Sequence, residues 1–139
     1  MSVPKSRRRD TPLKVAVLSV QLLQKTIEVC SSKNNFPIRK KWAIPSDLYL
    51  EAREFCVNLN LANDIRVTDR ATAEERLSLD RKAENHLKRY TILTNVAIIS
   101  HPLNESTINS WCLLLGETTD YFEKWKQAEE KRYMDYIEG

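Results

Sequence analysis

The stretch RKAENHLKRYTILTNVAII, residues 81–99, decides the fold. Small and apolar side chains recur in it at steps of four, three, four and three residues, a period that places them on one face of an α-helix. The positions of this row are Ala83, Leu87, Tyr90, Thr94 and Ala97. Such a row is typical of a helix that buries one stripe against its neighbours in a bundle.

Rows with the same period occur on two other segments. The second predicted helix carries Leu48, Ala52, Phe55, Leu59 and Ala62, and the fourth carries Ile108, Cys112, Leu115, Thr119 and Phe122. The chain of 139 residues contains only 2 glycines, whereas sheets and sandwiches need glycine-rich turns about every ten residues. We therefore expect an all-α fold, an antiparallel up-down four-helix bundle.

Start and stop signals divide the chain into segments. Ser46 is the predicted N-cap of the second helix, and Asn104 that of the fourth. Thr72 and Glu75 have the spacing of a capping box for the third helix. The expected organisation is a flexible basic arm at 1–12, a bundle at 13–127 with helices at about 13–30, 46–65, 73–99 and 105–127, and a charged tail at 128–139 that can continue the last helix.

The helices carry more apolar side chains than one buried row requires. On the second and third helices the additional residues lie opposite the rows given above, and they are Leu50, Val57, Leu61, Ile92, Val96 and Ile99. The first helix is also apolar on two sides, with Leu13, Val20, Leu23 and Ile27 against Val15, Leu18, Leu22 and Val29. A wide core contact is one explanation. The alternative, which we favour, is an interface with a second copy or a partner protein, since large exposed apolar patches usually mark interfaces. The period alone does not decide which stripe faces the core.

Positive charge is concentrated in the first 100 residues. They hold 18 basic and 11 acidic residues, a balance of +7, and the remainder holds 4 and 8, a balance of −4. The predicted nucleic-acid-binding residues are Arg7, Arg8, Arg9, Arg39, Lys40, Lys41, Arg81, Lys82, Lys88 and Arg89. Clustered Lys and Arg that displace counterions supply most of the sequence-independent affinity for nucleic acid. An ordinary solvated surface is the alternative interpretation of the same residues.

No pattern of catalytic, cofactor-binding or metal-binding residues is found in the sequence. The three cysteines, Cys30, Cys56 and Cys112, have no CxxC spacing and are expected to be buried thiols in a reducing cytoplasm. His86 and His101 belong to no motif, and no Gly-rich phosphate loop is present. No segment reaches the roughly 18 apolar residues of a membrane span. We expect a non-enzymatic cytoplasmic protein with no cofactor, no metal, no small-molecule substrate and no membrane association.

The order of these features resembles a known family. An apolar first helix is followed by a basic Phe-Pro connection, by Trp42-Ala43-Ile44 at the start of the second helix, by a long basic third helix, and by a fourth helix that ends in a Trp. The residues that carry the resemblance are Phe36, Pro37, Arg39, Lys40, Trp125 and Lys126. Over residues 13–127 the chain resembles the accessory variability determinant (Avd) proteins of diversity-generating retroelements. It is also similar to the four-helix proteins encoded in intervening sequences of 23S ribosomal RNA genes.

The resemblance implies a barrel-like homopentamer that binds a reverse transcriptase and its template-repeat RNA, or an RNA/DNA hybrid. Such a protein catalyses nothing and supports mutagenic cDNA synthesis by positioning RNA and polymerase. The Arg-rich arm before Pro12 and the acidic tail after Lys126 depart from the family pattern. The alternatives are a protein of a 23S ribosomal RNA intervening sequence and a helical protein–protein adaptor that binds no nucleic acid.

Overall fold

A computed structural model describes residues 10–32, 34–37 and 43–138 of the chain. These residues form four α-helices and no strand, so the prediction of an all-α four-helix bundle is confirmed. The helices are α1 (Asp10–Ser31), α2 (Ile44–Asp64), α3 (Arg70–Ser100) and α4 (Glu105–Glu138).

Each helix packs against two others, α1 and α3 each lying between α2 and α4. Contacts between α3 and α4 run in opposite order along the two helices: Tyr90 meets Trp111, whereas Glu84 meets Lys126. The α2–α3 pair shows the same order, since Glu51 near the start of α2 contacts His86, whereas Ile65 just after the end of α2 contacts Arg76, earlier in α3. These neighbouring helices are therefore antiparallel.

The rows predicted on the second and third helices are the buried faces of α2 and α3. All five residues of the α3 row are at most 3% exposed, and all five of the α2 row are at most 1% exposed. Tyr90, at the centre of the α3 row, accepts a hydrogen bond from Trp111 Nε1 at 2.7 Å and lies 2.6 Å from Thr26 Oγ1. Burial raises the pKa of the Tyr90 hydroxyl to about 12. The hydroxyl thus joins α1, α3 and α4 inside the core.

The row predicted on the fourth helix is partly wrong. Cys112 is exposed, and the core instead receives Trp111 and Trp125, which are at most 3% exposed. The helix is rotated from the predicted orientation because the two indole rings bury far more apolar area than a thiol does. The prediction of three buried cysteines is therefore wrong for Cys112, while Cys30 and Cys56 are buried.

The helix starts differ from two predicted caps. In α3 the capping box is one turn earlier, with Asp69 Oδ1 accepting from Thr72 N at 2.9 Å and Thr72 Oγ1 accepting from Asp69 N at 3.1 Å. A carboxylate is favoured at this position because it faces the positive end of the helix. Helix α2 begins at Ile44 with Pro45 in its first turn, so Ser46 is inside the helix and not its N-cap.

The fourth helix has its predicted cap at the start and extends past the predicted bundle at its end. Asn104 Oδ1 accepts from Thr107 N at 2.7 Å, so Asn104 caps α4 as the sequence predicts. At the other end, α4 runs through the charged segment to Glu138. Glu129 is buried against α3 in this extension, and its contacts are part of a buried ionic cluster.

Candidate nucleic-acid and partner-binding surfaces

Four of the predicted cations form one exposed surface on α3, which we call the basic face. Its residues are Arg81, Lys82, Lys88 and Arg89. They point outward because the residues between them, Ala83 and Leu87, belong to the buried row. At a rise of 1.5 Å per residue the basic face spans about 12 Å. Lys88 Nζ lies 3.7 Å from Glu84 Oε1, and no carboxylate among the described residues lies within 4.0 Å of the other three cations.

The acidic residue nearest to the basic face is neutralised from another helix. Lys126 Nζ of α4 is 2.7 Å from Glu84 Oε2 and 3.1 Å from Glu130 Oε1. Burial opposes ionisation of Glu84, but the hydrogen bond and the charge of Lys126 outweigh it and lower the pKa of Glu84. The carboxylate that could offset the basic face is therefore paired with a cation of its own.

The other predicted nucleic-acid-binding residues lie outside the described part of the chain. They are Arg7, Arg8, Arg9, Arg39, Lys40 and Lys41. Their role stays a prediction from the sequence.

The six predicted interface residues face outward. Leu50, Val57 and Leu61 of α2 are exposed, as are Ile92, Val96 and Ile99 of α3, with Ile99 reaching 85%. The structure thus assigns the opposite rows to the core and these six side chains to the surface.

On α3 the basic face and the apolar residues form one continuous strip. At 100° per residue, Ile92 and Val96 lie on the same side of the helix as Arg81 and Lys88. Beside the strip, a half-open groove of about 350 Å³ lies between α3 and α4, with Leu87 among the residues that line it. The basic face and the exposed apolar side chains of α3 are therefore accessible side by side on one surface.

A further row, apolar except for Gln24, lies on the outside of α1, and the stripes predicted from the sequence contain only part of it. This outer row consists of Leu13, Val17, Val20, Gln24 and Ile27. All five are exposed, and Leu13 reaches 64%. The row repeats at four and three residues and contains no charge, in the same way as the buried row on the other side of the helix. The four-three spacing of these positions is the signal that could have identified it.

A buried ionic cluster between α3 and α4 was missed entirely. Arg76 Nε lies 2.5 Å from Glu129 Oε1, and Arg76 Nη1 donates to the Ile65 carbonyl at 2.8 Å. Asp80 is 0% exposed, and neither carboxylate oxygen has a hydrogen-bond partner among the described residues. Burial and the charge of Glu129, opposed by Arg76, raise the pKa of Asp80 to about 7. The sequence does contain a signal for this cluster, because Asp80 and Arg76 continue the buried α3 row toward the start of the helix at steps of three and four residues.

The two histidines take part in contacts between parts of the fold. His86 Nδ1 lies 2.6 Å from Glu51 Oε2 and links α3 to α2. His101 ends α3, and its ring centroid is 4.6 Å from that of Phe36. Among the described residues, no three His, Cys, Asp or Glu side chains are grouped so that they could hold a metal ion.

Within the described segments, none of the helices combines the length and the apolar character that crossing a membrane requires. Comparison of the chain with family models, with curated proteins and with solved structures finds no match in any of the three.

Proposed function

We propose that this chain is a non-catalytic accessory subunit that binds RNA through the basic face of α3 and associates with protein partners, including copies of itself, through its exposed apolar rows. The observation that carries the proposal is the basic face: four outward cations on one rigid helix, of which one has a carboxylate within 4.0 Å.

The dimensions of the basic face suit a polyanion. Its length of about 12 Å covers three to four phosphates of one strand at a spacing of about 3.4 Å along a duplex axis. Because the helix fixes the backbone of these Lys and Arg residues, binding orders only the flexible ends of their side chains. Contacts of this kind fix a nucleic acid without reading its sequence.

The exposed apolar rows support a role for protein partners. Side chains such as Ile99 and Leu61 are at least half exposed, and contiguous apolar surface of this kind usually marks an interface. We propose that the chain works as a homo-oligomer in the cytoplasm.

The resemblance of the sequence to Avd proteins suggests the partners. On that basis the RNA is the template-repeat RNA of a retroelement, the protein partner is its reverse transcriptase, and the process is mutagenic cDNA synthesis. A reverse transcriptase gene beside this gene, with paired variable and template repeats, would support this specific form. A location inside a ribosomal RNA gene would support the intervening-sequence alternative.

Fluorescence anisotropy with labelled RNA tests the basic face. The test variant changes four cations to Ala: Arg81, Lys82, Lys88 and Arg89. A control variant removes the same charge from exposed cations elsewhere: Arg53, Arg66, Arg70 and Lys124. We expect the test variant to lose most of its affinity and the control to retain most of it.

Two results would count against RNA binding through this surface. Equal losses of RNA affinity in the two variants would mean that the net charge of the protein, and not the basic face, determines binding. Full affinity in the test variant would mean that RNA binds to another surface and would remove the assignment to the basic face. No RNA affinity in the native chain would favour the protein–protein adaptor, which the exposed apolar rows support independently of the basic face.

A further inference from the structure

We propose that the outer row of α1 is a two-fold seam on which the α1 helix of a second copy of this chain docks in the antiparallel direction. This inference rests on the self-association part of the proposed function and names its surface and geometry. A two-fold seam builds dimers and even-numbered assemblies, so it takes the place of the homopentamer that the resemblance to Avd proteins implies. It does not depend on RNA binding.

The outer row has the pattern of a helix–helix seam. Its positions repeat every seven residues, so the row stays aligned with a straight or gently supercoiled partner helix along its length. From Leu13 to Ile27 the row is about 21 Å long at 1.5 Å per residue. Within the bundle α1 packs against α2 and α4, and this row faces away from both. A hollow of about 390 Å³ runs beside Val17 and Val20 as far as Asn60 of α2.

The charges beside the row indicate a second copy as the partner. Lys14, Gln21 and Glu28 follow each other at steps of seven along the edge of the row nearer α4. In an antiparallel pair this edge meets the same edge of the partner, so Lys14 faces Glu28 of the second copy and Gln21 faces Gln21. The charge pattern is thus complementary to its own reversed copy. A parallel two-fold pair would instead bring this edge against the edge of the partner that carries Ala16 and Leu23, so Lys14 and Glu28 would have no charged partner there.

The ion pairs that Lys14 and Glu28 form within one chain are weak enough to be replaced by ion pairs with a second copy. Lys14 Nζ is 3.4 Å from Glu117 Oε1 with both side chains 43% exposed, and Glu28, at 74%, is 3.8 Å from Lys25. Exposed ion pairs of this kind contribute little to stability. The opposite edge of the row, nearer α2, is apolar or small, with Ala16 and Leu23 half-buried. In a two-fold pair that edge also meets itself and adds apolar contact.

Light scattering coupled to size exclusion, at micromolar concentration, tests the seam. We expect a dimer or a higher assembly built from dimers for the native chain, and a large loss of association for Val17→Glu combined with Val20→Glu. Both residues are over 40% exposed in the single chain, so the folded helix accepts the carboxylates, and circular dichroism checks this. The matched control is Gln127→Glu with Tyr136→Glu on α4, two exposed side chains that belong to none of the apolar rows, and it should leave the α1 dimer in place. A monomeric native chain, or association unaffected by the α1 changes, overturns the proposal.

Cysteine cross-linking tests the direction. In a Cys112→Ser background, we expect a disulfide between copies when Val17→Cys chains are mixed with Ile27→Cys chains, and none when either is oxidised alone. In the antiparallel seam, position 17 faces position 27 of the second copy, whereas two copies of position 17 are about ten residues, or 15 Å, apart. A disulfide between copies of Val17→Cys alone would indicate a parallel pair and overturn the antiparallel arrangement.

The two proposals can fail separately. The variant without the basic face should still dimerise, and the Val17→Glu, Val20→Glu variant should still bind RNA as a monomer, with lower affinity because it presents one basic face in place of two. A native chain that dimerises but binds no RNA would reject only the RNA part, and a native chain that binds RNA as a monomer would reject only the seam.

Discussion

Replacing Asp80 with Asn should stabilise the protein at pH 8 and should have a smaller effect at pH 5. The carboxyl has an ordinary pKa of 3.8 in the unfolded chain and about 7 in the folded one. Because the folded state binds the proton more tightly, it gains stability at low pH and loses that gain as pH rises through 7. Each pKa unit corresponds to about 1.4 kcal/mol. The ionised Asp80 therefore lowers the free energy of unfolding by about 4 kcal/mol above pH 7. Roughly 3 kcal/mol of this decrease develops between pH 5 and pH 8.

The amide is a matched replacement for the protonated acid. It keeps the shape of the side chain and carries no charge, so Arg76 and Glu129 then form a neutral pair without a second carboxylate beside them. Urea unfolding at the two pH values gives the free energies of unfolding of the native chain and the variant. Asp120→Asn, on the exposed side of α4, is the control and should change little at either pH. If Asp80→Asn destabilises the protein equally at both pH values, the reasoning about the buried charge is wrong.

Four further predictions follow from the core, the thiols and the surface. Tyr90→Phe should lower the free energy of unfolding by about 1–3 kcal/mol in urea, because the two side chains that share the hydroxyl lose their buried partner. Phe122→Ala, at a site only 1% exposed, should cost about 3–5 kcal/mol in the same assay, and a cost below 1 kcal/mol would contradict the packing. Cys112 should react with a thiol reagent in the native protein, whereas Cys30 and Cys56 should react only after unfolding. RNA affinity should fall about 100-fold between 50 and 200 mM salt if all four cations of the basic face contact phosphates, and a flat salt dependence would argue against such contacts.

The sequence predicts the four helices and two of their buried rows because both depend on local period. In α2 and α3 the residues at four-three spacing form the buried face, although each helix also carries an opposite apolar stripe and period alone does not decide between the two. On α4 several rows compete. Cys112 and Trp111 are adjacent and belong to rows of similar quality, and the choice depends on how much space the facing helices leave for an indole ring.

The features that were missed depend on neighbours distant in the sequence. Asp80 and Arg76 are buried because Glu129 of α4 packs over them, 53 residues from Arg76. Similarly, the second apolar stripe of a helix is core or surface according to how many helices surround it. Period alone gives both stripes of α1 equal weight, whereas in the structure only the row containing Leu22 faces the core, at 0% exposure.

The hydroxyl of Tyr90 has a consequence for how the helices are aligned along their length. Apolar rows that repeat every turn would pack almost as well if one helix slid past its neighbour by a turn, about 5.4 Å. Such a slide would separate the Tyr90 hydroxyl from Thr26 of α1 or from Trp111 of α4 and leave polar atoms unpaired in a dry core. This one buried group therefore sets the vertical register of three helices at once, which non-directional apolar packing cannot do.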